Sequence, residues 1–255
     1  MHGIALVTGA GRGIGKAIAL ALAADGFDVA VNDLEISQGL ITVRDEIIAV
    51  GRKSVAVAAD IGDLAHHATI LDEAEAALGP LTTLVNNAGV SVLSRGDLLD
   101  VTRESYDRCQ NINTRGTFFL TQAFAKRLLA RPREPEIHHS IITISTANAV
   151  APSIARGEYC LSKAAVAMLT KLFAARLAND GIGVYEIQPG FIETGMTAPS
   201  KAKYDALIES GLTVIKRFGQ PEEVGQIALT LASGGLPYTS GQVVQADGGL
   251  LSVRY

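Results

Sequence analysis

Tryptophan is absent from this chain, and only 6 Tyr and 7 Phe occur in 255 residues. The apolar content is instead Ala, Val, Leu and Ile with abundant Gly, the composition of parallel strands buried between two layers of helices. Only two cysteines are present, Cys109 and Cys160. They are too few and too far apart for a disulfide framework or a zinc site, which points to a reducing compartment. The net charge of -4 leaves no basic footprint for nucleic acid. No basic segment followed by an apolar one opens the chain, and no run of about 18 apolar residues occurs, which excludes a transmembrane helix by length. The expectation is a soluble cytoplasmic protein without membrane or nucleic-acid partners. His66, His67, His138 and His139 lack partners at ligand spacing, so no metal site is expected and all four read as surface residues. No repeat or low-complexity tract appears. With no break in composition, residues 1–255 read as a single domain.

Against these absences stands a strong alternation of short apolar runs and helical patterns. Gly3 to Val7 has strand length and is followed by Thr8-Gly9-Ala10-Gly11-Arg12-Gly13-Ile14-Gly15 and then a helical pattern through Ala24. Strand, glycine-rich turn and helix form an arrangement that binds a pyrophosphate: small residues let the backbone approach, and helix N-terminal N–H groups face the anion. The glycines read Gly9-x-x-x-Gly13-x-Gly15, not the commoner Gly-x-Gly-x-x-Gly. A second strand, Phe27 to Asn32, ends in Asp33, where a carboxylate can bind a ribose 2′-hydroxyl and repel a 2′-phosphate. This favours NAD over NADP, while Arg12 in the loop could meet that phosphate and pulls the other way.

Further strands are read at Ser54 to Ala59, Leu81 to Val85, Ser140 to Ile144, Gly183 to Ile187 and Gln242 to Gln245. Helical patterns separate them at Leu40 to Val50, His67 to Leu78, Tyr106 to Leu129, Tyr159 to Leu177 and Pro221 to Ala232. This order predicts an α/β fold, a Rossmann-type doubly wound parallel sheet with helices on both faces and binding groups at the carboxyl ends of strands. Asp60 and Asn87 fall at such ends. Residues 195–215 carry only a weak helical pattern, which suits a lid over a site, taken at about 194–215.

Tyr159 and Lys163 stand four positions apart, on one face of a helix, where a phenol and an ammonium could act on one ligand. Such a pair is most often two surface residues, so its neighbours matter. Asn111 and Asn113 lie within a helical pattern that disfavours them unless they find partners.

Taken with these neighbours, the chain resembles the short-chain dehydrogenases/reductases over nearly its whole length. The matching signatures are Thr8-Gly9-x-x-x-Gly13-x-Gly15, Asn86-Asn87-Ala88-Gly89, Asn113, Tyr159-x-x-x-Lys163, Pro189-Gly190 and Asp247-Gly248-Gly249. The resemblance implies hydride exchange between a nicotinamide and an alcohol or carbonyl, and usually a homotetramer, with a homodimer as the alternative. It assigns Tyr159 as general acid or base, Lys163 as the cation that favours its phenolate and holds the nicotinamide ribose, and Asn113 as support for a relay water. It places Gly9, Arg12, Gly13, Ile14 and Gly15 at the pyrophosphate and Asp60 and Ile61 at the adenine. Asn87, Ala88 and Gly89 fall on the adenosine ribose side, and Pro189, Gly190, Ile192 and Thr194 on the nicotinamide side.

One position departs from the pattern. The family's serine, thirteen residues before the tyrosine, is here Thr146, with Ser145 beside it. Strand alternation points the two hydroxyls apart, so Thr146 is the expected catalytic hydroxyl. Within the family, the Pro189 to Thr197 segment is similar to 3-oxoacyl-acyl-carrier-protein reductases, which dock an acidic carrier with basic residues. Asp180 stands where these tend to carry Arg, and Asp33 favours NAD(H), with NADP(H) possible. An NAD-linked dehydrogenase of a small secondary alcohol, polyol or sugar is therefore preferred. The acyl-carrier-protein reductase and a non-catalytic nucleotide-sensing scaffold on the same fold remain the alternatives.

Overall fold

The computed structural model describes residues 3–198 and 201–252. Among them, seven parallel strands form one sheet in the order β3-β2-β1-β4-β5-β6-β7. The strands are β1 Ile4–Thr8, β2 Asp28–Asp33, β3 Ser54–Ala58, β4 Thr83–Asn86, β5 His139–Ile144, β6 Ile182–Pro189 and β7 Val243–Ala246. The helices are α1 Gly13–Ala24, α2 Gln38–Ala49, α3 His66–Leu78, α4 Arg103–Cys109, α5 Thr117–Leu129, α6 Gly157–Leu177, α7 Lys201–Glu209 and α8 Pro221–Ala232. None of these helices is long and apolar enough to cross a membrane.

Period-two alternation divides the core into two layers. Ala5, Val7, Val29, Val31, Ile142, Ile144, Tyr185 and Ile187 pack with residues of α1, α2 and α8 such as Ile18, Leu22, Val43 and Leu231. Leu6, Ala30, Ile141 and Val184 face the other way, onto Ile70, Leu71, Leu120, Phe124 and Leu177 of α3, α5 and α6. Burial on both faces explains why the strands read as nearly unbroken apolar runs. Strand order reverses between β1 and β4, so Thr8 and Asn86 end side by side, at the switch point where doubly wound sheets bind ligands.

Several expectations need correction. The helical pattern from Tyr106 to Leu129 is not one α-helix. It starts at Arg103, capped by Thr102, whose side chain accepts from the Ser105 N–H at 3.2 Å, and it widens to a π-helix over Gln110–Gly116 before α5. The wide turn lets the buried Asn113 amide find partners that a regular register would miss. His67 is buried, its Nε2 2.7 Å from the Ile61 carbonyl, and His139 is buried with Nδ1 2.9 Å from the Ile137 carbonyl. Burial lowers the pKa of both His138 and His139. The backbone partners of His67 and His139 lie in adjoining loops, which periodicity does not reveal. In the proposed lid, α7 covers Lys201–Glu209, while Pro199 and Ser200 lie outside the described residues.

Candidate active site

The glycine loop is built as an anion cradle. Gly9 holds φ +63°, a left-handed value that only glycine adopts freely. A Cβ on Gly15 would stand 2.2 Å from the Gly9 carbonyl, so the start of α1 folds back onto the loop only because that atom is missing. Helix α1 has no side-chain cap at Arg12, so its first N–H groups are left to a ligand. Thr8 Oγ1 ties the loop to β4 by accepting from the N–H groups of Asn87 (3.1 Å) and Ala88 (3.0 Å). Asn87 donates both amide hydrogens back, to the carbonyls of Thr8 (2.9 Å) and Gly9 (3.0 Å). Its NH2 group therefore braces the loop, and Thr8, which the sequence reading quoted in the signature without giving it a role, is the second brace.

Asp33 is oriented by two backbone donors, Gly11 N–H at 3.1 Å and Leu34 N–H at 2.8 Å. Arg12 is exposed, whereas Lys16 pairs with Glu46 at 2.8 Å. Asp60 accepts from the Gly62 N–H at 2.7 Å, and Ile61 is buried beside it. Across the loop, Thr194 lies close to Gly13: its Cγ2 would be 3.4 Å from a Cβ there. Thr194 N–H donates to Thr197 Oγ1, which donates to the Ile192 carbonyl at 2.7 Å. Beneath them, Pro189-Gly190 rests on Asp247, so closely that a Gly190 Cβ would be 2.8 Å from its Cα. The open N–H groups, the left-handed glycine and the fixed carboxylate fit a dinucleotide.

The second half of the site gathers around α6. Tyr159 and Lys163 are buried, with 8% and 6% of their surface exposed. Burial raises the Tyr159 pKa; the Arg156 guanidinium and then the facing Thr146 hydroxyl act against it. Arg156 lies with Cζ 5.7 Å from the centre of the phenol ring. Arg156 is thus a cation at the phenol to which the sequence reading gave no role. Lys163 Nζ donates to the Ile144 carbonyl at 3.0 Å. Burial lowers its pKa to about 8, while Glu186 and Cys109 oppose the fall.

The two candidate hydroxyls part at the end of β5. Ser145 Oγ is buried and donates to Glu186 Oε1, whereas Thr146 faces the Tyr159 phenol and accepts from the Asn148 N–H at 3.3 Å. Asn113 uses its whole side-chain amide: Oδ1 accepts from Val90 N–H at 2.8 Å, and Nδ2 donates to the Val90 carbonyl (3.0 Å) and to Ser162 Oγ (2.9 Å). Ser162 donates to the Tyr159 carbonyl at 2.8 Å. Asn113 therefore locks α6 to the Gly89-Val90 turn, and a Cβ on Gly89 would be 3.1 Å from its Oδ1. Any water it supports would have to meet its backbone.

Glu186 also escaped the sequence reading. It is fully buried on the α6 face of β6, with Gln188 Nε2 donating to Oε1 at 2.8 Å and with Oε2 left without a partner. A charge at an alternating position of a strand buried on both faces was the available signal.

Comparison with known proteins agrees with this geometry. The family model described as enoyl-(acyl carrier protein) reductase matches residues 9–251. The crystal structure of a 3-oxoacyl-(acyl-carrier protein) reductase from Brucella melitensis in complex with NAD superposes with a TM-score of 0.96 at 41% identity, covering 100% of this chain and 99% of that one. An Agrobacterium tumefaciens structure with bound NADP, described as a 2-deoxy-d-gluconate 3-dehydrogenase, gives 0.86 at 33% identity, covering 98% and 96%. A 2-dehydro-3-deoxy-D-gluconate 5-dehydrogenase of Dickeya dadantii is 31% identical over 98% of this chain and 95% of its own length.

Proposed function

The chain belongs to the short-chain dehydrogenase/reductase family of nicotinamide-linked oxidoreductases acting on CH–OH and keto groups, and on that premise we propose that Tyr159 is its general acid and base, Thr146 its substrate-orienting hydroxyl and Lys163 the adjoining cation. The observation that carries this reading is the parting of the two hydroxyls at the end of β5: Ser145 is spent on the buried Glu186, whereas Thr146 faces the buried Tyr159 phenol. A strand-end hydroxyl facing a phenol of α6 can join it in meeting one substrate oxygen. In reduction Tyr159 gives its proton to that oxygen, and in oxidation it takes the proton back. Thr146 donates a second hydrogen bond, fixing the oxygen as charge develops on it. The buried ammonium of Lys163 lowers the cost of the phenolate once a substrate is bound. Asn113 keeps α6 in register with the Gly89-Val90 turn, and thereby keeps Tyr159 in place.

When bound, the nicotinamide supplies the hydride acceptor or donor. The N–H groups of Gly9, Gly13, Ile14 and Gly15 would hold its pyrophosphate, with Arg12 at the loop edge. Asp33 would hold the adenosine ribose, Asp60 and Ile61 would border the adenine, and Ala88 and Gly89 would line the neighbouring strand end. Pro189, Gly190, Ile192 and Thr194 would line the nicotinamide side. Asp33 supports NAD(H): two backbone donors fix its carboxylate where a 2′-phosphate would meet like charge.

The favoured substrate is a small secondary alcohol or its ketone. Reduction of a 3-oxoacyl group on acyl carrier protein is the second reading, supported by the 41% identical reductase. Against it, Arg176 at the end of α6 is paired with Asp180 at 2.9 Å, which neutralises a cation that could meet an acidic carrier. The exposed apolar face of α5 and α6, with Leu129, Met168 and Leu172, supports self-association, and the reading takes the protein as one Rossmann-type domain working in the cytoplasm as a homotetramer. A panel of alcohols and ketones with NAD(H) and NADP(H), followed by nicotinamide absorbance, tests it. NAD-linked turnover of small alcohols is expected; turnover confined to NADPH and 3-oxoacyl thioesters would establish the second reading.

A further inference from the structure

Arg156 ends a 3-10 turn, Ile154–Arg156, three residues before Tyr159. Its guanidinium lies 5.7 Å from the Tyr159 ring centre, within cation–π range. Its Nη2 donates to Asn148 Oδ1 at 2.8 Å. Asn148 is itself held, since its Nδ2 donates to the Ala151 carbonyl at 3.0 Å and its N–H to Thr146 Oγ1 at 3.3 Å. Thr146, Asn148, Arg156 and Tyr159 are thus linked in one chain of contacts beside the proposed proton-transfer site.

The charge of Arg156 has no counterpart there. Arg52, Arg127, Arg131, Arg176 and Arg217 each meet a carboxylate within 2.9 Å. Arg156 is half-buried, and among the described residues it meets only a neutral amide and a neutral ring. A guanidinium presents five N–H donors in a rigid fork that matches a carboxylate. One arm is engaged by Asn148, which fixes the plane and leaves the others to a ligand.

We propose that Arg156 is a specificity-determining residue that binds an anionic group of the substrate, which makes the substrate a short hydroxy acid or oxo acid. This rests on the oxidoreductase reading above and narrows it. The acid must be short, because the guanidinium lies against the very ring whose hydroxyl would exchange the proton. A charge-assisted bond of this kind carries about 1.5–3 kcal/mol, or roughly a 10- to 150-fold preference.

Matched probes test the assignment: 3-hydroxybutyrate against its methyl ester, and gluconate against sorbitol, each with NAD+ and NADP+. The wild-type protein is expected to favour the acid of at least one pair by at least about tenfold in kcat/KM. In Arg156→Ala this acid-to-neutral ratio should collapse through KM, and Arg156→Lys should recover part of it. Arg156→Gln, which keeps a donor toward Asn148, replaces the alanine variant if that one fails to fold. An effect of Arg156 on Tyr159 alone would shift the pH profile and kcat of both members together and leave the ratio unchanged. That result, or a wild-type preference for the neutral members, overturns the proposal.

Absence of turnover with every probe would count against the oxidoreductase reading, and the anion site is then read by calorimetry with NADH present. Succinate and gluconate should bind more tightly to the wild type than to Arg156→Ala. Equal affinity, or no binding to either, overturns the assignment.

Discussion

The two halves of the cleft are made of different material. On the side of β1 to β4 the site is backbone: a left-handed glycine, uncapped helix N–H groups and a carboxylate held by main-chain donors. On the side of β5, β6 and α6 it is buried side-chain chemistry. Tyr159, Lys163 and Glu186 are withdrawn from water, and the first two have displaced pKa values. Backbone dipoles bind an anion at little cost, because they are already ordered by the fold. Buried ionisable groups destabilise the resting protein, a cost recovered only when a ligand arrives. If the contrast holds, substitutions in the second half should change chemistry and pH dependence, and those in the first should change cofactor choice.

The largest expected effect is that of Tyr159→Phe. It should lower kcat by about 10³-fold while NADH binding, followed by fluorescence, stays close to wild type. Substantial residual turnover would mean that the phenol is not the proton donor.

Lys163 offers a pH test without substrate. Its folded pKa of about 8 lies below the ordinary 10.5. The unfolded chain therefore binds the extra proton between these values, and stability must rise as pH climbs from about 8 to 10.5. The penalty is fully present below that window and absent above it. Denaturant titrations of the cofactor-free protein should show this rise, up to about 3 kcal/mol, and Lys163→Met should lack it. Identical pH profiles would remove burial as the cause.

A hundredfold effect comes next. Thr146→Ala should lose about 10²-fold in kcat, while Ser145→Ala should lose little activity and about 1–3 kcal/mol of stability, because Glu186 is left short of a donor. The reverse ranking in steady-state assays would move the catalytic hydroxyl to Ser145.

The smallest effect belongs to the backbone half. Asp33→Ala should narrow the preference for NAD over NADP by about tenfold, through the KM of the cofactor and not through kcat. An unchanged ratio would leave cofactor choice to another group.

Legibility in the sequence followed the same division. The glycine loop, the alternation of strands and helices and the Tyr159-Lys163 spacing are local patterns, and local patterns are written in consecutive residues. The thirteen-residue offset implied by the family resemblance pointed to Thr146, and strand alternation separated it from Ser145, because a strand end leaves only two directions for neighbouring side chains. The π-turn at Asn113, the burial of His67 and the bracing role of Asn87 were not legible. Each depends on what an amide or imidazole meets after the chain has closed: Asn113 on Ser162, 49 positions away, Asn87 on Thr8, 79 away, and His67 on a loop carbonyl behind its own helix.

By itself, then, the sequence determined the element order, the glycine-rich turn between β1 and α1, and the spacing that sets Tyr159 and Lys163 on one helix face. Tertiary structure alone decided that Arg156 lies against the phenol and that Glu186 is buried under the site. A residue type states which hydrogen bonds and charges it can offer, but only packing selects the partner that receives them. Burial then sets how strongly they act.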